Sequence, residues 1–219
     1  RSTAGNAETW GGGESDMTAD GRFVARYDRF DSGFGDTVKA VAADTNFVFW
    51  GTPGKGLLRS GHGGGAAGAY TTFLGGKIIT GLIAKSGKLY VSNFSDGKIH
   101  VYDVATMTED RSWSCPDPTR LTVDQAGNVW VIKWNSASTQ KPHAGSMWWG
   151  EKIVSFSSTG TPGPEITDFD KPLAMAVNTS CQLLVGGLNQ HSQIWTYDIS
   201  GAPSQVGTFG APREILSAA

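Results

Sequence analysis

Residues that could do chemistry are few and scattered along this chain. The histidines are His62, His100, His143 and His191, and none stands at a metal-ligand spacing such as HExxH. His100 falls within an alternating run, where a structural role is expected, whereas His143 and His191 fall in loops. Acid–base chemistry would need facing carboxylates, and Glu14, Asp16, Asp96, Asp117 and Glu214 are the acids placed for it by position. No G-x-S-x-G elbow occurs. The stretch "GTPGKG" at 51–56 has the glycines of a phosphate loop. It lacks that loop's spacing and following Ser/Thr, and it leads into a strand rather than a helix. The remaining chemistry is aromatic. Trp148 and Trp149 are adjacent in the insertion "NSASTQKPHAGSMWWGE", which follows Trp134 and also carries Lys141, His143 and Met147. Two neighbouring indoles are costly to leave in water. Either they form a platform on which the apolar face of a sugar stacks, or they open the next strand and plug the edge of a sheet.

Composition sets the scaffold for these groups. The chain has 219 residues, 30 of them Gly, with 17% charged residues and a formal net charge of −2. Many tight turns between short strands suit that mix. No Lys/Arg run marks a nucleic-acid or acidic-membrane footprint, so no nucleic-acid partner is expected. No apolar run approaches the roughly 18 residues of a membrane span. The chain begins at Arg1 without an initiator Met or signal peptide, as a processed or trimmed product would. Asn93-Phe94-Ser95 and Asn178-Thr179-Ser180 fit the N-glycosylation pattern and point to an extracellular, secreted protein. Two cysteines make no disulfide framework.

Three segments repeat one pattern: "TGLIAKSGKLYVSNFSDGKIHVYD", "TRLTVDQAGNVWVIKWN…EKIVSFS" and "LAMAVNTSCQLLVGGLNQHSQIWTYD". Each reads as an alternating run, a polar turn, a second run, a loop and a third run. "VKAVAADTNFVFWGTPGKGLLRS" is a weaker fourth copy, and "EDRSWSC" and "SQVGTFG" supply fourth strands. A repeat of about 40 residues built from four strands is a propeller blade. Near the N-terminus, "AETWGGG" and "RFVARYD" match second and third strands, while the C-terminal "APREILSAA" reads as a first strand with nothing after it. One blade split between the two ends would close a ring and remove its open edges. The expected fold is therefore all-β: one β-propeller domain over 1–219, of five four-stranded blades closed by exchange of the N- and C-terminal strands. Its blades are 1–36 plus 212–219, 37–76, 77–118, 119–171 and 172–211. The alternative is a piece of a longer six- or seven-bladed protein.

Through "VDQAGNVWV" and "KIHVYD", the repeat resembles β-propellers of the NHL/SMP-30/YVTN-like kind. The resemblance covers most of the chain and specifies architecture rather than chemistry. It implies that ligands bind where the loops between second and third strands meet the blade-to-blade connections. Arg120, Trp134, His143, Trp148, Trp149, Asn189 and His191 are the ligand-binding residues expected on that face, with Asp117, Lys171, Arg213 and Glu214 nearby. It also places Cys115 and Cys181 on opposite faces, so two free thiols are expected. The leading functional expectation is an extracellular, lectin-like carbohydrate-binding protein whose partner is a glycan or polysaccharide, with no cofactor and no metal. Two alternatives remain: a glycan-active enzyme or lactonase using acids of the same face, and a scaffold for a protein partner anchored at Trp148 and Trp149.

Overall fold

The computed structural model describes residues 16–17, 23–25, 38–52, 54–61, 71–134, 150–169, 171–187 and 193–209. A short antiparallel pair comes first, β1 (Asp16–Met17) with β2 (Phe23–Ala25). Four four-stranded antiparallel sheets follow, each made of strands consecutive in the chain. Sheet one holds β3 (Ala40–Ala43), β4 (Phe47–Thr52), β5 (Gly56–Gly61) and β6 (Thr71–Phe73). Sheet two holds β7 (Ile79–Lys85), β8 (Lys88–Asn93), β9 (Lys98–Asp103) and β10 (Glu109–Ser114). Sheet three holds β11 (Pro118–Val123), β12 (Val129–Lys133), β13 (Lys152–Phe156) and β14 (Pro162–Ile166). Sheet four holds β15 (Pro172–Val177), β16 (Gln182–Gly187), β17 (Ile194–Asp198) and β18 (Ser204–Phe209). Four such sheets are described, not five. The expected fifth draws on 1–36 and 212–219, which lie outside the described residues except for β1 and β2.

The first strands touch in succession, β3 against β7, β7 against β11, and β11 against β15. Burial is lowest in the fourth, outermost strands. In β8 five of six residues are buried, whereas every residue of β18 is exposed. Period-2 alternation explains how the sheets stack, because neighbouring residues of a strand point to opposite faces. Val91 joins the cluster between sheets one and two, with Phe49 and Leu57. The adjacent Tyr90 joins the next cluster, with Val129 and Val131. Trp130, beside Val131, then joins the third, with Leu183 and Tyr197. One alternating strand thus supplies two interfaces. Gly81 permits a close approach of two inner strands: a Cβ there would lie 2.7 Å from the Thr119 carbonyl oxygen of β11.

One end of the sheets carries the turns between first and second strands and between third and fourth. The Asp124 carboxylate accepts from Asn128 N (2.8 Å), Asn128 Nδ2 (2.9 Å) and Trp130 Nε1 (3.2 Å). Asp44 and Asn178 hold the matching turns of sheets one and four through backbone N–H groups. These are Asx turns, in which a short polar side chain substitutes for a backbone acceptor. In sheet two Lys85 takes that place and donates across to Val123 O and Asp124 O of sheet three.

Candidate functional site on the loop face

The opposite end carries the loops between second and third strands. In sheet two this loop is Phe94–Gly97. Asn93 is fully buried; its Oδ1 accepts from Ser95 N and its Nδ2 donates to Asp96 Oδ2 at 2.9 Å. The atom that would carry a glycan is therefore engaged inside the folded chain. The second sequon behaves similarly, with Asn178 Nδ2 donating to Gln182 Oε1 at 2.8 Å.

In sheet three the corresponding loop opens at Trp134. Its backbone N–H donates to Asp117 O, and its indole packs on Phe94 of sheet two with ring centres 6.1 Å apart. Trp134 is buried, so it forms a wall between two sheets rather than an open stacking surface. The far end of the same loop is fixed on the other side, where Gly150 N donates to Pro172 O of sheet four. Glu151 N closes the stem on Lys133 O. The insertion is thus anchored to the sheets before and after its own. His143, Trp148, Trp149, Asn189 and His191 lie outside the described residues.

Arg120 stands on the inner strand β11, two residues after Pro118. Its Nη1 donates to Thr80 O of β7 at 3.1 Å and also to Lys39 O beside β3. One guanidinium therefore gathers the inner strands of three successive sheets. Burial lowers the Arg120 pKa from its ordinary value. The nearby Lys39 ammonium is likewise lowered, first by desolvation and then by repulsion from Arg120. The structure brings Arg120 to the mouth of the inner strands and Trp134 to the base of the insertion, but it shows no contact between them.

No protein-family model matches the chain, and no curated protein is similar enough to match. Solved structures do match. A protein of unknown function from Bacteroides caccae aligns over 90% of this chain and 68% of its own, with 12% identity and a TM-score of 0.64. A chain of a mitotic checkpoint complex aligns over 87% of this chain at 8% identity and a TM-score of 0.60. The computationally designed Ika8 protein aligns over 91% at 15% identity and a TM-score of 0.57. The chain spans 55% and 58% of those last two. The fold is propeller-like. At such identities the likeness extends to architecture alone, and each four-stranded sheet is a blade.

The acids expected for catalysis divide. Glu14 and Glu214 lie outside the described residues, as does the side chain of Asp16. Asp117 sits at φ 54° in the connection between blades two and three. Asp96 is committed to a part-buried network that the sequence did not disclose. Its Oδ2 meets His100 Nε2 at 2.9 Å, while Glu109 Oε2 meets His100 Nδ1 at 3.2 Å. Both ring nitrogens of His100 are thus occupied by carboxylate contacts. Neither nitrogen is left to act on a ligand, in keeping with the structural role expected of His100. Burial opposes ionisation of Glu109, but bonds from Ser112 and His100 outweigh it and hold its pKa below the ordinary value. Burial, followed by the Glu109 charge, raises the Tyr102 phenol. The β9–β10 register shift between Glu109 and Arg111 brings this acid near His100, and sequence alternation alone does not show such a shift.

Both cysteines are free thiols. Cys115 follows β10 at the loop end and is buried, with its thiol pushed up to about 12 by desolvation. Cys181 occupies the β15–β16 turn at the other end. Among the described residues no group of three or more His, Cys, Asp or Glu could hold a metal ion. No helix among them is long and apolar enough to cross a membrane.

Proposed function

We propose that this chain is an extracellular, lectin-like carbohydrate-binding propeller, with a glycan or polysaccharide seated on its loop face. The observation that carries the reading is the doubly anchored insertion. Its stem is fixed at Trp134 against Phe94 of blade two and at Gly150 against Pro172 of blade four. The sequence between those two anchors carries His143, Trp148 and Trp149, and a connection longer than the strands require is where binding residues concentrate. Asn189 and His191, in the corresponding connection of blade four, complete the proposed site with Arg120. The test is binding to a broad glycan array, with and without chelator, by the native chain and by a Trp148→Ala/Trp149→Ala variant. Chelator-independent binding to a narrow glycan set that the variant loses supports the reading. An array with no signal from the native chain removes it and directs the search to a protein partner or to turnover assays.

The finer architecture belongs to the same proposal. Trp50 and Leu58 are buried on the face of blade one that points away from blade two, yet neither belongs to the three clusters between described blades. On the far side of blade four, Ile194 and Phe209 are exposed. A fifth blade built from 1–36 and 212–219 fits between these two apolar faces and would close the ring by strand exchange. Deleting residues 212–219 should then lower the unfolding free energy by several kcal/mol, since an inner strand would be lost. Unchanged denaturation midpoints would refute the closure.

A further inference from the structure

We infer that a cleft between blades one and two, at the turn end and opposite the loop face, is a site for an alkyl ammonium group. It is independent of any ligand on the loop face. The other junctions show what fills this position. Between blades two and three, the Lys85 ammonium crosses to Val123 O at 3.0 Å and Asp124 O at 2.7 Å. Between blades three and four, Gln125 Nε2 crosses to Asn178 O at 3.4 Å. Register aligns the blades here, since Ala43, Ala84 and Val123 pair with Val48, Leu89 and Val129. Asp44 and Thr45 are therefore the blade-one counterparts of Lys85 and Gln125. A carboxylate accepts and cannot donate to a carbonyl, whatever else holds it. Thr45 is too short to cross, and among the described residues neither it nor Asn46 makes a side-chain bond to blade two. A cavity of about 580 Å³ opens there instead. Ala43, Phe47 and Ala84 give it apolar walls, with Asp103 on the blade-two side. Lys85 also lines it, but its ammonium is drawn off to blade three. Ala84 O and Lys85 O stand in blade two where Val123 O and Asp124 O stand in blade three. A ligand that repeats the Lys85 side chain would bond these carbonyls through its ammonium and lay its stem on the apolar walls. Arg59 does the same on the outer side of this junction. Its Nη1 donates to Val104 O at 3.0 Å and Ala105 O at 3.1 Å, while its guanidinium lies 4.4 Å from the centre of the Phe47 ring. Turn carbonyls of blade two thus already take a cation from blade one, and the inner pair takes none from its described side chains.

Amide NMR titration of the intact, nitrogen-labelled chain tests this with three probes: n-butylamine, 1-butanol and N-acetyl-lysine methylamide. n-Butylamine should shift the amides of 44–47, 84–87 and 103–105 saturably, with a Kd on the order of 1 mM for so small a ligand. 1-Butanol has the same stem without the charge and should bind about tenfold or more weakly. Added salt should weaken n-butylamine and leave 1-butanol unchanged. The lysine derivative separates two sources of the same chemistry. Binding at the same amides assigns the site to a lysine side chain of a peptide, and its exclusion while n-butylamine binds assigns the site to a free amine. Thr45→Gln and Thr45→Lys should each rebuild a bridge from blade one to blade two. Thr45 is exposed, so these changes leave the core intact. Both should weaken n-butylamine severalfold, whereas Thr45→Ala should retain it. Equal affinity for the amine and the alcohol overturns the inference, as does an absence of shifts at these amides. n-Butylamine affinity unchanged in both bridging variants also overturns it.

Discussion

At the turn end of the blades, Asp44, Asp124 and Asn178 occupy the same place in three repeats and do the same work, accepting backbone N–H groups with a short side chain. Third-to-fourth turns repeat a second device, in which Asp103 accepts from Ala105 N and Thr106 N and Asp198 from Ser200 N. Neighbouring turns are also linked, Lys85 to Asp124 O and Gln125 to Asn178 O. At the loop end no such rule holds. Blade one crosses from β4 to β5 in a tight hairpin, blade two uses Phe94–Gly97, and blade three runs from Trp134 to Glu151. Repetition at one end and divergence at the other separates what builds the fold from what is free to bind.

Breaking the shared device where it is most buried should have the largest effect. Asp124 is nearly inaccessible and satisfies Asn128 and the indole N–H of Trp130 together. Asp124→Ala would leave those donors buried and unpaired, costing about 2–4 kcal/mol. A fall in urea midpoint at an unchanged slope would show it. Asn178→Ala removes the same kind of turn where it is only part-buried, and the expected loss is about 1 kcal/mol. If the two variants lose equal stability, burial is not what grades these turns.

The loop end should behave in the opposite way. Trp148→Ala/Trp149→Ala should move stability by no more than about 0.5 kcal/mol while removing glycan binding. A large stability loss in that variant would mean that the indoles plug a blade edge, and the contrast between the two ends would fail there.

This contrast also explains what the sequence disclosed. "VDQAGNVWV" shows its turn openly, because Asp124, Asn128 and Trp130 lie within seven residues of one another and their bonds are local. The first three strands of blades two to four follow from alternation and the four-stranded grouping from repetition, whereas β14, with Pro162 and Pro164, shows no alternating pattern. Arg120 was legible as a candidate only by its position at the start of a first strand. Its bond to Lys39 O spans 81 residues and depends on how three blades stack. The Asp96–His100–Glu109 network was hidden for a related reason, since it depends on a register shift that residue types do not encode. Asn93 is the converse case, in which a short motif marks the residue and the fold uses its side-chain amide in a turn.

The smallest effect separates the two ends by pH. Asp103 and Asp198 at the turn end are both held below the ordinary carboxylate value of 3.8, chiefly by backbone N–H groups of Thr106 and Ser200. A carboxylate whose pKa is lower in the folded chain binds protons less readily there than when unfolded. Its contribution to stability is therefore complete above the unfolded value and is lost as pH falls through the lower folded one. Denaturation midpoints followed from about pH 7 to about pH 3 should drop at the acid end. They should drop less in Asp103→Asn/Asp198→Asn, which begins less stable at neutral pH and has less to lose. Both groups lie at the surface, so the difference will be slight and best resolved at low salt. Parallel acid limbs in the two proteins would mean that these turns hold their shape without the charge. The repeated aspartates would then be there for their geometry alone, a role that asparagine already fills at Asn178.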